Sequence, residues 1–97
     1  MALYLTEEEV ASLLSMEACI EALDAAFRQA AEGRATFRPR SRAAVRGGVL
    51  HVLPAASEAL GRMAAKVYAT TRAASRFVVL LFDAATSELL AILEADH

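Results

Sequence analysis

Three basic side chains in the middle of the chain could together bind a small acid: Arg40, His51 and Lys66. Arginine can hold a carboxylate with two parallel hydrogen bonds, and a lysine beside Val67 and Tyr68 would add a compact positive charge. The residues therefore predict an anion site. The plainer alternative is that these are outward-facing strand residues on a solvated surface.

Other chemistries lack the residues they need. His51 and His97 have no partner at metal-ligand spacing, and no nucleophile arrangement is present. Glycine occurs only at positions 33, 47, 48 and 61, so no phosphate-cradling glycine loop can be assembled. The single cysteine, Cys19, lies on a helical pattern and is predicted to be a small buried thiol. We therefore predict no metal site and no cofactor-binding residue in this chain.

The charges are unevenly distributed although the formal net charge is only -2. Nine of the ten basic residues fall between Arg34 and Arg76, while both flanking segments are acidic. Such a pattern can mark an anion site or a nucleic-acid surface, or simply solvated faces that balance on folding. Phe37 is the only aromatic residue among the first arginines, and no nucleic-acid module is recognised. We predict no nucleic-acid partner.

Composition indicates one globular domain. The chain has 97 residues, of which 57% are hydrophobic, which is enough to bury a core. Its start lacks the basic and apolar pattern of a signal peptide, and no apolar window reaches the length of a membrane span. A cytoplasmic protein without membrane contact is expected.

Residues 6–33 are predicted to form a pair of helices. Thr6 with Glu9 makes a capping box, and Ser15 can cap a second helix. In that helix Ile20, Leu23, Phe27 and Ala30 step by three or four residues and are predicted to form the inner face. Gly33 ends the pair as a C-terminal cap.

Residues 36–94 are predicted to form a mostly antiparallel sheet. From Thr36 the pattern alternates, which places Arg38, Arg40 and Arg42 on one face. Gly47 and Gly48 signal a two-residue turn, and the returning strand is predicted to stop at Pro54. Met63–Thr71 predicts the next strand.

The apolar run Phe77–Phe82, the turn formers Asp83–Ser87 and the run Leu89–Leu93 predict a buried hairpin with a central strand. The fold class is therefore α+β, with two N-terminal helices packed on a mostly antiparallel sheet that ends in this hairpin.

The order of these features resembles the N-terminal part of the ornithine cyclodeaminase/μ-crystallin family over nearly the whole chain. The segments that carry the resemblance are Leu3–Val10, Met16–Ala22, Ala26-Phe27, Glu32–Ala35, Pro39-Arg40, Leu53–Ala55, Lys66–Tyr68 and Val79–Asp83. Members of that family are dimeric, two-domain, NAD(P)-dependent enzymes. The resemblance implies that residues 1–97 are a single domain equivalent to the family's substrate-binding and dimerisation domain, whose sheet packs against its twin.

The resemblance also implies roles for individual residues. Arg40 would clamp the carboxylate of a small amino or imino acid, and Lys66 would act catalytically beside the reacting centre. His51 lies where some members place a substrate-contacting side chain. The segment Thr70–Arg76 is shorter than the loop of many cyclodeaminases, which argues against ornithine as the substrate.

The chain reaches His97 where a family member would continue into the dinucleotide-binding domain. That domain holds the glycines that cradle phosphate. The expectation is therefore a substrate-binding domain of a cyclodeaminase-like amino acid dehydrogenase or ketimine reductase, inert alone because NAD or NADP binds elsewhere. The alternative is a non-catalytic module that binds small carboxylates or mediates dimerisation.

Overall fold

The computed structural model describes residues 2–96, which fold into two helices and seven strands. The elements are β1 (Leu3–Leu5), α1 (Glu7–Leu13), α2 (Met16–Ala31), β2 (Ala35–Phe37), β3 (Ser41–Val45), β4 (Gly48–Ser57), β5 (Arg62–Thr71), β6 (Ser75–Asp83) and β7 (Leu89–Glu94). The predicted α+β class, with two helices on a mostly antiparallel sheet, is confirmed. Within the described range, neither helix has the length and apolar character needed to cross a membrane.

All seven strands belong to one sheet, in the order β1-β7-β6-β5-β4-β2, with β3 also paired to β4. Successive strands from β3 to β7 are antiparallel neighbours, as expected for strands joined by short turns. The exception is β1, which pairs in parallel with β7 and brings Leu3 beside Ala91. The predicted strand over Phe77–Phe82 is an interior strand, β6.

The helix ends follow the predicted capping signals. The Thr6 hydroxyl accepts from the Glu9 backbone N–H at 3.3 Å, and the Glu9 carboxylate accepts from the Thr6 N–H at 3.2 Å. Ser15 accepts from the Ala18 N–H and begins α2. At the other end, Gly33 has φ +76° while the Arg34 N–H bonds to the Gln29 carbonyl, which is a Schellman cap.

Two details of the arginine-rich hairpin differ from the prediction. Arg38-Pro39-Arg40 is not part of a strand, because the chain leaves the edge of the sheet between β2 and β3. The two-residue turn is Arg46-Gly47, one residue earlier than predicted, since Val45 pairs with Gly48. Gly47 has φ +82°, the left-handed conformation that favours glycine.

Pro54 does not end its strand; β4 continues through it to Ser57. The Pro54 carbonyl accepts from the Arg38 N–H at 3.3 Å, so the side of Pro54 that would carry an N–H faces the gap between β2 and β3. No strand in that gap needs a donor from Pro54. The missing N–H therefore costs the sheet no ladder bond.

The two faces of the sheet have different characters. On one, here called the helix face, β5 presents Arg62, Ala64, Lys66 and Tyr68; α2 is joined to this face by a hydrogen bond from the Ser57 hydroxyl to the Gln29 side chain. On the other, here called the bare face, strands β4, β5 and β6 present a continuous apolar surface, with Arg76 at its end opposite Ala69. Its apolar residues are Leu50, Val52, Pro54, Ala56, Met63, Ala65, Val67, Ala69, Val78, Leu80 and Phe82.

Burial within the described range is shallow. Only Ala91 and His51 count as buried, and the predicted hairpin β6–β7 is otherwise half-buried. The predicted inner face of α2 is wrong for Ile20, Leu23 and Phe27, which are 57–70% exposed, whereas Ala30 is half-buried. The half-buried residues of α2 are instead small or polar, such as Cys19, Ala26 and Gln29. Cys19 is a free thiol that is half-buried, not buried as predicted.

A polar clasp joins the first elements to the last strand. Glu94 accepts from the Tyr4 hydroxyl at 2.5 Å and from the Glu7 backbone N–H, the first of α1, at 2.8 Å. The Tyr4 hydrogen bond, followed by the Glu7 N–H, holds the pKa of Glu94 below its usual value. The clasp fixes α1 and β1 against β7.

Candidate functional site

A row of four side chains crosses the helix face at the end of the strands away from Arg62. Arg42 of β3 lies opposite His51 of β4, His51 lies opposite Tyr68 of β5, and Tyr68 lies opposite Phe77 of β6. Residues directly opposite one another in neighbouring strands have adjacent side chains on the same face. The register of the sheet therefore assembles this row.

The three rings of the row are stacked. The centroids of His51 and Tyr68 are 4.1 Å apart with an interplanar angle of 7°, and those of Tyr68 and Phe77 are 4.6 Å apart at 23°. Aromatic pairs in such arrangements contribute about 0.5–1.5 kcal/mol each beyond their buried area. The stack is thus a firm platform in the otherwise open surface of the sheet.

Two cations lie beside this platform. The guanidinium carbon of Arg40 is 5.6 Å from the Tyr68 ring centroid, and Lys66 Nζ is 5.8 Å from the same centroid and 5.0 Å from that of Phe77. Arg40 and Lys66, predicted from widely separated segments, thus converge on one tyrosine.

Arg42 fixes the orientation of His51. Its Nε donates a hydrogen bond to His51 Nδ1 at 3.4 Å, a long contact that nevertheless requires Nδ1 to be the acceptor. A neutral imidazole with its proton on Nε2 satisfies this arrangement. The terminal nitrogens of Arg42 remain available to an anion.

The surroundings of His51 disfavour its charged form. The residue is 9% exposed, and burial, followed by the charges of Arg42 and Arg40, lowers the pKa of its imidazole below the ordinary value. His51 is therefore a neutral hydrogen-bond donor near pH 7.

This lowered pKa predicts a pH dependence of stability. The unfolded chain takes up a proton at His51 near pH 6.5, whereas the folded chain resists it, so stability is complete above that pH. As the pH falls below about 6.5, the free energy of unfolding should decrease until the lower folded-state pKa is passed. Urea unfolding measured between pH 8 and pH 5 should show this slope in the parent protein and lose it in His51→Asn.

His97→Asn provides the matched control, since His97 is the other histidine of the chain. The depressed carboxyl pKa values of Asp83 and Glu94 also weaken the fold in acid, but at lower pH, as each titrates below its ordinary value. An unchanged slope in His51→Asn, or stability that increases toward pH 5, would contradict the assignment.

Among the described residues, the cations of the site have no carboxylate as an ion-pair partner. Within residues 2–96, the ion pairs are Asp24–Arg28, Glu32–Arg34 and Arg62–Asp83, none of which involves Arg40, Arg42 or Lys66. Arg40 and Lys66 are exposed, whereas Tyr68 and Phe77 are half-buried. The arrangement is an open, positively charged wall with an aromatic floor.

Two grooves of the described chain offer no alternative anion site. One of about 350 Å³ lies where β3, β4 and β5 meet, and another of about 460 Å³ lies on the bare face near Pro54 and Phe82. Both are lined by uncharged residues. They supply no group for acid-base or anion chemistry, so the charged wall remains the candidate site.

The structure thus brings together all three residues predicted from the sequence, Arg40, His51 and Lys66. Sequence reasoning did not assign Arg42, Tyr68 or Phe77 to the site. The available signals were weak: Arg42 follows Arg40, and Tyr68 follows Lys66, at the two-residue spacing that keeps side chains on one face of a strand. Phe77 joins them only through strand register.

The described residues do not fit a metal ion or a dinucleotide. Among residues 2–96, no group of three or more histidine, cysteine, aspartate or glutamate side chains is placed to hold a metal. Gly33 ends a helix, and Gly47, Gly48 and Gly61 lie at strand turns, so none precedes a helix as a phosphate-binding glycine does. The N-termini of both helices are already capped by Thr6 and Ser15.

Comparison with known proteins identifies a family for the chain. The family model described as "Ornithine cyclodeaminase/mu-crystallin family" matches residues 2–97. A comparison with curated protein sequences finds no match.

Solved structures similar to the chain include three enzymes. A probable ornithine cyclodeaminase from Bordetella pertussis Tohama I is 33% identical with a TM-score of 0.92; the match covers 98% of this chain and 30% of that one. An archaeal alanine dehydrogenase dimer with bound NAD is 28% identical with a TM-score of 0.89, covering 98% and 31%. A Thermococcus litoralis Δ1-pyrroline-2-carboxylate reductase in complex with NADH and L-proline is 26% identical with a TM-score of 0.87, covering 95% and 31%. The chain spans about a third of the length of these proteins.

Proposed function

Because the chain belongs to the ornithine cyclodeaminase/mu-crystallin family, we propose that residues 2–96 act as one domain of an NAD(P)-dependent enzyme that acts on a small amino or imino acid. This domain would provide the wall that binds the substrate carboxylate and the surface that contacts a second subunit. The observation that carries the proposal is the convergence of Arg40 and Lys66 on Tyr68.

Each basic residue has a distinct part in this proposal. Arg40 binds the carboxylate through two parallel N–H donors, for which its planar guanidinium is suited. Lys66, close to the rings of Tyr68 and Phe77, lies against the reacting centre, where its ammonium can hold or deliver a proton. His51 donates from Nε2 to the bound acid and keeps its ring against Tyr68.

The nucleotide has no place among the described residues. Since no glycine of residues 2–96 opens a helix, we assign the binding of the nucleotide to another part of the enzyme. The similar alanine dehydrogenase and pyrroline-2-carboxylate reductase structures hold NAD and NADH. The open side of the charged wall would then face that other part.

The second surface of the proposed domain is the bare face. A continuous apolar face is rarely left in water by a folded protein, and here Leu50 and Met63 are 45% and 38% exposed. A second copy of the same chain is the proposed occupant, because the face is apolar apart from Arg76, which lies at its end opposite Ala69. The similar alanine dehydrogenase structure is a dimer.

The carboxylate site can be tested on the protein with butanoate, a simple monocarboxylate. We expect saturable shifts of the Tyr68 and His51 ring signals in an NMR titration. Arg40→Gln and Lys66→Gln should each weaken binding about tenfold, since each removes a charged hydrogen-bond partner.

Arg46→Gln is the matched control for this titration. It removes the same charge from the exposed β3–β4 turn and should leave butanoate binding unchanged. Absence of saturable binding, or equal affinity in all three variants, would refute the proposed carboxylate site.

A further inference from the structure

We infer that the acid bound at this wall carries a second negatively charged group and no side-chain ammonium, so that dicarboxylic amino or imino acids are the substrate class. The inference rests on the proposed function, because it concerns the same wall. The observation behind the inference is Arg42, a further cation at the wall that has no part in the carboxylate binding assigned to Arg40.

The first argument is the excess of positive charge. Arg40, Arg42 and Lys66 lie around one aromatic stack, and no carboxylate of residues 2–96 lies within ion-pair distance of any of them. On the same face, Asp83 is at the far end of the strands and is paired with Arg62 at 3.5 Å. One substrate carboxylate neutralises only part of this positive charge, and a second carboxylate would neutralise more of it.

The second argument is the geometry of Arg42. Its Nε is engaged by His51, which holds the guanidinium at the edge of the stack and leaves both terminal nitrogens without a partner in the described chain. Arg40 and Arg42 are two residues apart, so their Cα atoms are separated by at most about 7 Å. Two guanidiniums at this separation suit the two ends of a short dicarboxylate.

The third argument concerns what the wall excludes. A diamino acid such as ornithine carries an ammonium on its side chain, and its recognition would require a carboxylate or several carbonyl groups nearby. The described wall presents cations and aromatic rings instead. Like charges placed together disfavour binding, so the wall selects against such substrates.

The test uses three four-carbon acids of matched length: succinate, butanoate and 4-aminobutanoate. Titrated into the protein and followed by the His51 and Tyr68 ring signals, succinate should bind about tenfold more tightly than butanoate, and 4-aminobutanoate more weakly than butanoate. Arg42→Gln should weaken succinate binding about tenfold more than it weakens butanoate binding, so that the advantage of succinate is lost.

Two comparisons keep the outcomes distinct. Arg46→Gln, which removes a charge at the turn, should preserve the succinate advantage; if it removes as much of that advantage as Arg42→Gln, general attraction is responsible and the inference is overturned. Equal affinity for succinate and butanoate, both dependent on Arg40, would overturn the dicarboxylate class and leave the proposed function standing. Failure of all three acids to bind would overturn both.

Discussion

Replacing Val67 with aspartate is expected to dissociate the proposed dimer into monomers. Val67 lies at the middle of the bare face, between Val52 and Val78 on the neighbouring strands. An aspartate there would be buried without a partner when two faces meet, which costs about 3–5 kcal/mol. Dimer affinity should fall by a factor of at least about 100, measurable by sedimentation velocity at micromolar concentration.

Two further variants make this result interpretable. Leu50→Asp places the charge on the same face at a side chain that is already 45% exposed, so it should dissociate the dimer without disturbing the fold. Ala73→Asp places it in the exposed turn between β5 and β6 and should leave the dimer intact. A parent protein that is monomeric at micromolar concentration, or Leu50→Asp that stays dimeric, would contradict the assignment of the bare face.

Replacing Tyr68 with alanine is expected to damage both stability and anion binding. The change removes a half-buried ring that stacks on His51 and on Phe77 and flanks Arg40 and Lys66. Truncation of a fully buried aromatic residue costs about 3–5 kcal/mol, and about 2 kcal/mol is expected here because the ring is partly exposed. Urea unfolding measures the loss, and butanoate affinity should fall by about tenfold.

Tyr68→Phe distinguishes the ring from its hydroxyl. The Tyr68 hydroxyl makes no hydrogen bond within residues 2–96, so this variant should keep stability within about 0.5 kcal/mol and keep butanoate affinity. If Tyr68→Ala retained both properties, the stack would not organise the site. If Tyr68→Phe lost affinity alone, the hydroxyl would be a substrate contact.

Local signals made most of the architecture predictable from the sequence. The capping residues Thr6 and Ser15 act within one helical turn, and Gly33 acts at the next boundary, so their effect does not depend on distant parts of the chain. The run Phe77–Phe82 similarly specified a strand, because its β-branched and aromatic side chains suit a half-buried pleated surface.

The features that were predicted wrongly depend on distant partners. Ile20, Leu23 and Phe27 have the spacing of a core stripe, but spacing does not show which surface a stripe will meet, and α2 contacts the sheet through smaller residues. Proline interrupts most strands, yet the missing N–H of Pro54 faces a gap between β2 and β3, and this gap depends on the sheet topology. Neither outcome is contained in the local sequence.

The candidate site was predictable as residue types but not as an assembly. Arg40 and Lys66 attract attention because of their chemistry and a family resemblance. Their convergence on Tyr68 depends on the register that pairs Tyr68 with His51 and Phe77, which pattern alone does not fix. The same register places Arg42 beside His51, and Arg42 is the residue from which we infer a second acidic group on the substrate. The roles of Arg40, Lys66 and His51 in substrate binding stay predictions.

The parallel pairing of β1 with β7 has a consequence for how the protein is made. Leu3 leaves the ribosome about ninety residues before its neighbour Ala91. At usual translation speeds of about 5–20 residues per second, β1 waits several seconds for its partner strand. β1 is thus among the last strands to join the sheet, because it can pair only after β7 has been synthesised.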